Sequence, residues 1–252
     1  MIRIVSTSAL ACSQFHIEGH TLTVVEVDGV QTHPQDTETI IICAAQSYGV
    51  IVTGHPKPYR SFKYIAKMTT DMMTKDIPSE DARHAIGAAT YSDQGQELDS
   101  LACTLNKSWV PQAVLDDFTL KPLRNNRLLQ PVQQEIRFDT NQSYYEGIGT
   151  RIGLGCDPWV EPKVPSLYTA LSTGEAANSP ITYGRGANPW VLHHNNVIQV
   201  YMQNPQPWPH PMHLHGHQFQ VSLLSLSRKK NCNTDISCAT TGSSTWRWNL
   251  GP

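Results

Sequence analysis

Histidines are concentrated in one short stretch of the 252-residue chain. Six of the eleven histidines lie between His193 and His217, and four of those six belong to the octapeptide HPMHLHGH that begins at His210. Neutral imidazole is the most common metal ligand in proteins, so this density of histidines predicts a metal site. Imidazole alone does not select the metal, because copper, zinc, iron and nickel all accept it.

The spacing of these histidines divides them between two centres. We expect a β-strand from His213 to Leu224, on which successive side chains point to opposite faces. His213 and His215 then share one face, whereas His210, three positions earlier, points to the other. His217 shares the face of His213 but lies about 13 Å further along, at about 3.3 Å per residue. The segment is therefore predicted to serve two metal centres, with His217 outside both.

The composition favours an all-β protein. Charged residues make up only 16% of the chain, and 16 glycines with 17 prolines provide many turns. A net charge of -2 offers no basic surface for nucleic acid. No apolar run approaches the roughly 18 residues of a membrane span. Neither nucleic-acid binding nor membrane insertion is expected.

Short apolar runs bounded by turn residues predict several strands. Leu22–Val27 leads into Asp28-Gly29, a strong hairpin signal. Residues 69–110 lose this alternation, and β patterning resumes at residue 134. The sequence therefore predicts two β domains, and the clearest strand candidates are Leu22–Val27, residues 39–43, 48–53, 134–138 and 197–202.

The predicted domain limits are 1–108, 109–224 and 225–252. The last segment is rich in Ser, Thr, Cys and Asn and has no readable strand, so we expect a disordered tail or an artefact of the gene model. Met1–Val5 lacks a signal-peptide layout and is typical of the middle of a strand. The expectation is that the chain begins inside a larger protein and that its C-terminal domain is truncated.

Cysteines and glycosylation motifs add weaker signals. The six cysteines form no CxxC pair and leave the disulfide pairing open. Two triplets, Asn106-Lys107-Ser108 and Asn141-Gln142-Ser143, match the acceptor pattern for N-glycosylation, which applies to exported chains.

Several stretches together resemble the fungal multicopper oxidases. HPMHLHGH, with residues 162–171 and 188–192, is similar to their third cupredoxin domain. Residues 3–6 and 17–29 resemble their second domain, and Leu115–Pro122 resembles the linker that opens the third. The closest branch contains iron-transport ferroxidases and laccase-like relatives. The resemblance implies two cupredoxin-like Greek-key β-barrel domains with little helix, and an extracellular or extracytoplasmic location.

The resemblance also implies copper ligands. It makes His210 a ligand of the type 1 copper, His213 a ligand of the type 2 copper and His215 a ligand of a type 3 copper, while His217 binds no metal. Enzymes of this family take single electrons from a small reducing substrate, a phenol or Fe(II), and reduce dioxygen to water. The implied cofactor is copper and the implied partners are dioxygen and that substrate.

The sequence departs from the family pattern at the ligands. A type 1 copper also needs a cysteine thiolate and a second histidine, and no HCHxxxH motif occurs in these 252 residues. The resemblance implies four coppers, and the three histidine ligands named above cannot hold all of them. The alternatives that remain open are a catalytically inactive copper-binding or structural fragment, and a zinc site made from the same histidines.

The substrate is a second point of departure. Iron-oxidising members place carboxylates near the type 1 site, since Fe(II) favours oxygen ligands. The corresponding positions here fall at or near Lys75, Arg151 and Gln206, and none of the three carries a carboxylate. Asp76, beside Lys75, supplies one only if the alignment shifts by one residue. A phenol or pigment-precursor substrate is therefore favoured over Fe(II).

Overall fold

The computed structural model describes residues 1–54, 62–71, 73, 76–91, 112–124, 127–147, 149–155, 158–184, 186–205, 210–224 and 242–249. This part of the chain is mostly β-sheet, which confirms the all-β prediction. The strands are β1 (Ile2–Val5), β2 (Ser13–Ile17), β3 (Leu22–Val27), β4 (Val30–Thr37), β5 (Thr39–Ile42), β6 (Ser47–Val52), β7 (Phe62–Met68), β8 (His84–Ala89), β9 (Gln134–Tyr145), β10 (Gly149–Leu154), β11 (Val197–Asn204), β12 (Gln220–Leu224) and β13 (Gly242–Asn249).

Within the described ranges, helical structure is limited to short segments between strands. The α-helix α1 spans Ser166–Ser172, and 3-10 turns occupy Asp81–Arg83, Asp117–Thr119, Gly174–Asn178 and Pro180–Tyr183. Within the described residues, no helix has the length and hydrophobicity needed to cross a membrane.

The described residues form two compact units. The first consists of the described residues between 1 and 124 together with 210–213, and the second of the described residues between 127 and 205 together with 214–224 and 242–249. The domain limits expected from the sequence, 1–108, 109–224 and 225–252, stay predictions.

The first unit is a sandwich of two four-stranded sheets, with strand orders β1-β6-β3-β4 and β5-β2-β7-β8. Apolar side chains from the inner faces of both sheets fill the space between them, and their removal from water stabilises the sandwich. The buried core consists of Ile17, Leu22, Val24, Val27, Ile40, Ile42, Tyr48, Val50 and Leu115.

The β3–β4 hairpin follows the sequence signal closely. Leu22 and Val24 are fully buried, two positions apart on one face of β3. The turn residues Asp28 and Gly29 have φ values of 46° and 80°. Two positive φ angles in a two-residue loop are the mark of a type I′ turn, which matches the twist of the paired strands. The hairpin predicted at Asp28-Gly29 is confirmed.

A disulfide joins Cys12 to Cys43 in the first unit. Strands β2 and β5 pair antiparallel, with Ser13 opposite Ile42, so the residues just beyond this pair face each other. Both cysteines are buried, and 31 positions of sequence separate them. The sequence left this pairing open, and the strand register explains it.

Residues 112–124 pair with the first unit, although the sequence analysis placed them at the start of the second domain. Val114 forms a parallel bridge with Thr39, and Pro122 forms an antiparallel bridge with Thr32. Leu115 is 2% exposed and joins the core of the sandwich. This stretch therefore adds to the first unit both backbone hydrogen bonds and apolar burial.

The second unit is built on one five-stranded sheet with the order β10-β9-β11-β13-β12. β9 and β11 run parallel, and the other neighbours are antiparallel. Ile136 on β9 and Ile198, Val200 and Met202 on β11 are buried at positions two apart. This alternation gives the sheet one apolar face.

Two strands lie where the sequence analysis expected none. β8 occupies part of the segment 69–110, and its composition explains the error: it contains three alanines and one glycine, Gly87, which lies opposite Tyr64. Small residues on β8 leave little hydrophobic alternation to read.

β13 corrects the expectation that residues 225–252 form no strand. It lies between β11 and β12, and its backbone pairs with both neighbours. Backbone hydrogen bonds in a ladder do not depend on an apolar side-chain period, so a Ser- and Thr-rich segment can occupy an inner position.

A buried hydrogen-bond chain connects the core to residues 112–124. Gln46 Oε1 accepts from the Cys43 amide at 2.9 Å, and Gln46 Nε2 donates to the Tyr48 hydroxyl at 3.1 Å. The Tyr48 hydroxyl donates to Asp117 Oδ2 at 2.7 Å. All three polar side chains are nearly inaccessible to water, so each depends on its partner in this chain.

We expect Tyr48→Phe to lower the free energy of unfolding by about 1–3 kcal/mol, because it leaves buried polar groups without the hydroxyl. Chemical denaturation measures this loss. Tyr64→Phe is the matched control, since Tyr64 is 40% exposed, and it should change stability far less. Equal stability of Tyr48→Phe and the unsubstituted chain would contradict this prediction.

Candidate metal centre

The histidine-rich segment is a loop and a turn, not a strand. β12 begins only at Gln220, and residues 215–216 form a turn. Gly216 has a φ of 72°, in the left-handed region that favours glycine, and the His217 amide donates to the Leu214 carbonyl at 3.3 Å. The strand predicted from His213 is therefore wrong before residue 220, because the turn interrupts it.

This correction removes the geometric basis for the two faces. Alternation of side chains holds along an extended strand and not across a turn with a left-handed residue. The assignment of His210, His213 and His215 to separate coppers now depends on the family resemblance alone, and it stays a prediction. The bulge between Val221 and Leu223 also breaks the alternation expected further along.

The four histidines differ in exposure. His210 is half-buried, whereas His213, His215 and His217 are exposed. Burial lowers the pKa of the His210 imidazole below its ordinary value, since removal from water disfavours the charged form. The neutral ring is the form that binds metal.

His217 interacts with its own turn. Its ring atom Nδ1 lies 3.1 Å from the His215 carbonyl oxygen, a distance at which the ring N–H donates to the carbonyl. Together with the bond from its amide to Leu214, this contact places His217 within the local turn structure.

Gln220 is a positioning residue that the sequence analysis missed. Its Oε1 accepts from the Leu129 amide at 2.8 Å, and its Nε2 donates to the Arg127 carbonyl at 3.1 Å. Both groups of one side chain thus anchor the end of the histidine segment to residues 127–129. A glutamine three residues after HPMHLHGH gives no sequence signal for this role, because its partners are about ninety positions away.

The remaining two clustered histidines lie before β11. His193 and His194 are exposed, and the His193 carbonyl accepts from the Asn196 amide at 3.2 Å in a turn where Asn195 has a φ of 65°. They belong to the connection into Val197, and the sequence analysis assigned no ligand role to them.

The donor set is suitable for copper but incomplete. Three imidazoles within six residues are appropriate ligands for copper. In the described ranges, however, no group of three or more His, Cys, Asp or Glu side chains is arranged to hold a metal ion. Cys12 and Cys43 are joined in a disulfide, so neither can provide the thiolate of a type 1 site. Any copper bound by His210, His213 or His215 needs further donors.

Comparison with known proteins identifies the class. Two family models, both described as multicopper oxidase, match residues 1–94 and 159–244. The solved structure of Fet3p, described as a multicopper oxidase that functions in iron import, matches 97% of this chain and 49% of its own, with a TM-score of 0.76 and 25% identity. The laccase from Botrytis aclada matches the fold with a TM-score of 0.63 at 17% identity. The chain belongs to the multicopper oxidase family.

Curated relatives agree with this assignment. The iron transport multicopper oxidase FET3 of Kluyveromyces lactis is 33% identical over 207 residues, which are 81% of this chain and 31% of the relative. The iron transport multicopper oxidase fetC of Epichloe festucae is 31% identical over 205 residues, or 81% of this chain and 32% of the relative. The chain thus spans about a third of the length of these relatives.

These comparisons confirm two expectations from the sequence. The predicted cupredoxin-like, all-β fold agrees with the solved multicopper oxidase structures. The predicted family agrees with the family models and the fungal relatives. Multicopper oxidases are copper-dependent oxidoreductases that use oxygen as the acceptor, so copper is the cofactor of the family to which this chain belongs.

The left-handed turn at Gly216 gives a prediction. A Cβ at this position would meet no described heavy atom within 4 Å, so Gly216→Ala introduces backbone strain without a clash. We expect that strain to cost about 1–2 kcal/mol and to shift the His215 and His217 ring resonances in NMR spectra. Gly216→Asn is the matched control, because asparagine tolerates the left-handed region better. Equal spectra and stabilities for the two variants would refute the role of the turn.

Proposed function

We propose that the protein carrying this chain is a copper-dependent oxidase that couples one-electron oxidation of a small substrate to the reduction of dioxygen to water. Family membership of residues 1–94 and 159–244 is the observation that carries this proposal. HPMHLHGH within the second match supplies donors of the right chemistry. When bound, the coppers accept electrons singly from substrate and deliver them to dioxygen.

In this proposal the three histidines hold different coppers. His210 is a ligand of the type 1 copper, His213 of the type 2 copper and His215 of a type 3 copper. The half-buried His210, with its neutral ring favoured, is suited to a site shielded from water. The engagement of His217 by its own turn supports leaving it out of the ligand set. Cysteine and further histidine ligands come from outside the described residues.

We propose a phenol or pigment precursor as the reducing substrate. Arg151, one of the three positions where iron oxidation calls for a carboxylate, is exposed on β10, and its Nη1 donates to the Thr150 carbonyl at 3.1 Å. A guanidinium repels Fe(II). The other two positions, Lys75 and Gln206, lie outside the described residues. Fe(II) is the second candidate, favoured by the iron-transport names of the curated relatives. Oxygen uptake with each reductant distinguishes the two substrates.

An extracellular or extracytoplasmic location belongs to the same proposal. The Cys12–Cys43 disulfide supports it, since disulfides persist in oxidising compartments and are rare in the cytosol. A tagged copy at the native locus, fractionated into medium, cell wall and cytosol, tests the location directly.

A catalytically inactive, copper-binding or structural role is the second candidate for this chain taken alone. The incomplete donor set favours it: the described cysteines form a disulfide, and the described side chains bring no three metal ligands together.

The incomplete donor set predicts the spectrum of the chain alone. We expect the purified 252-residue chain with added Cu(II) to show only the weak absorption of histidine-bound copper, because a blue band requires a cysteine thiolate ligand. Optical and spin-resonance spectra measure this, and His210→Ala serves as a control for the histidine contribution. An intense blue band would show that one of the six cysteines completes a type 1 site. It would also contradict the view that the chain alone lacks the ligands for activity.

Substitutions in the copper-loaded protein test the ligand roles. His210→Ala should remove the blue band and slow substrate oxidation, while the oxygen-reducing coppers remain bound. His213→Ala or His215→Ala should leave the blue band and abolish oxygen uptake. His217→Ala is the matched control from the same octapeptide and should change neither copper content nor activity. A loss of the blue band in His213→Ala but not in His210→Ala would reverse the assignment, and full activity in all three variants would refute the proposed function.

A further inference from the structure

We propose that Asn141 is an N-glycosylation site of this protein. Asn141-Gln142-Ser143 satisfies the acceptor pattern, in which the middle residue is not proline. The inference rests on the proposed extracytoplasmic location, because the transfer takes place in the secretory pathway. The structure adds the position of the acceptor nitrogen, which the sequence pattern does not give.

Asn141 lies on the outward face of β9. Ile136 and Thr140 are 3% and 2% exposed and point to the interior. Residues 135, 137 and 139 alternate with them and are exposed, as expected for the solvent side of a strand. Asn141 and Ser143 lie on this same face and are each partly exposed, and Gln142 and Tyr144 on the other face are exposed, so neither face is fully covered at this end of β9.

The surroundings of Asn141 leave room for a sugar. β11 pairs with β9 only as far as Asp139, so at Asn141 the neighbouring strand in the described part is β10 alone. The residue directly opposite on β10 is Gly153, which has no side chain to cover the amide. Directly opposite residues point to the same face. The diagonal neighbour on that face is Arg151, which is exposed and donates to the Thr150 carbonyl rather than to Asn141.

The hydrogen bonding of the triplet leaves the reactive atom accessible. Ser143 Oγ donates to Asn141 Oδ1 at 3.2 Å, which fixes the amide oxygen. Asn141 Nδ2 makes no hydrogen bond within the described residues and is not one of their buried unpartnered polar atoms, so water reaches it. A glycan attached there extends into water without breaking a contact of the fold.

The transfer needs a lipid-linked oligosaccharide as co-substrate. Nδ2 forms a bond to C1 of the first sugar, the bond from C1 to the lipid diphosphate oxygen breaks, Nδ2 loses one proton, and the lipid diphosphate leaves. Oxidation states do not change. The amide becomes a substituted amide with no added charge.

The experiment directs the full chain into the secretory pathway independently of its native location. The chain is fused behind a cleavable signal sequence and translated with endoplasmic-reticulum microsomes. It carries Asn106→Gln, which removes the other acceptor triplet. We expect one gel shift that peptide N-glycosidase reverses, with conversion of Asn141 to aspartate detected by mass spectrometry.

Variants of the acceptor triplet test whether Asn141 itself carries the glycan. Asn141→Gln and Ser143→Ala should abolish the shift, whereas Ser143→Thr should retain it, since threonine keeps the acceptor pattern and suits a strand. Glycosylated and enzymatically deglycosylated chains should resist limited proteolysis equally. Absence of the shift in the Asn106→Gln background, or digestion of the glycosylated form alone, would overturn the inference. A cytosolic native protein together with a glycosylated fusion would instead refute the proposed location and leave the site intact.

Discussion

The hydrogen bond from the Tyr48 hydroxyl to Asp117 is the interaction on which the first unit most depends. It lies among residues that are nearly inaccessible to water, where an unmet polar group is costly. The bond therefore requires residues 112–124 to follow one path along the sandwich. That path places Leu115 in the core and Val114 beside Thr39. Gln46 continues the chain of bonds to Cys43, whose disulfide closes the β2–β5 pair.

At the histidines the constraint is a backbone conformation and not a buried hydrogen bond. Gly216 takes a left-handed φ, and this single residue turns the chain between His215 and His217. Gln220, three residues after His217, then anchors the chain by hydrogen bonds to residues 127–129. The path of the chain from His215 to Gln220 is thus determined by a turn and by an anchor, and the regular strand begins only at Gln220.

The sequence predicted those elements whose side chains carry a strong local pattern. Leu22–Val27 was predicted with its observed limits, and Asp28-Gly29 makes the expected turn. β8 was missed because its small side chains show no apolar period. β13 was missed because Ser, Thr and Arg residues surround its one short alternation, Trp246 and Trp248. The start of β12 was misplaced because HPMHLHGH contains one glycine whose φ angle cannot be read from its residue type alone. The disulfide and the role of Gln220 depend on partners distant in sequence, which local patterns do not reveal.

The prediction of a metal site at HPMHLHGH remains after the geometric argument for two centres is removed. Strand alternation was the argument for assigning three histidines to two metal centres, and the observed turn removes that argument. Four observations on the side chains remain. The imidazoles are suitable copper ligands, His210 is half-buried, His217 is held by its own turn, and the two described cysteines cannot act as thiolates. Each histidine of the set needs donors from other parts of a polypeptide, because the described side chains form no three-ligand group. In the proposed assignment this segment provides ligands to several coppers from a loop and a turn, without a regular strand between them.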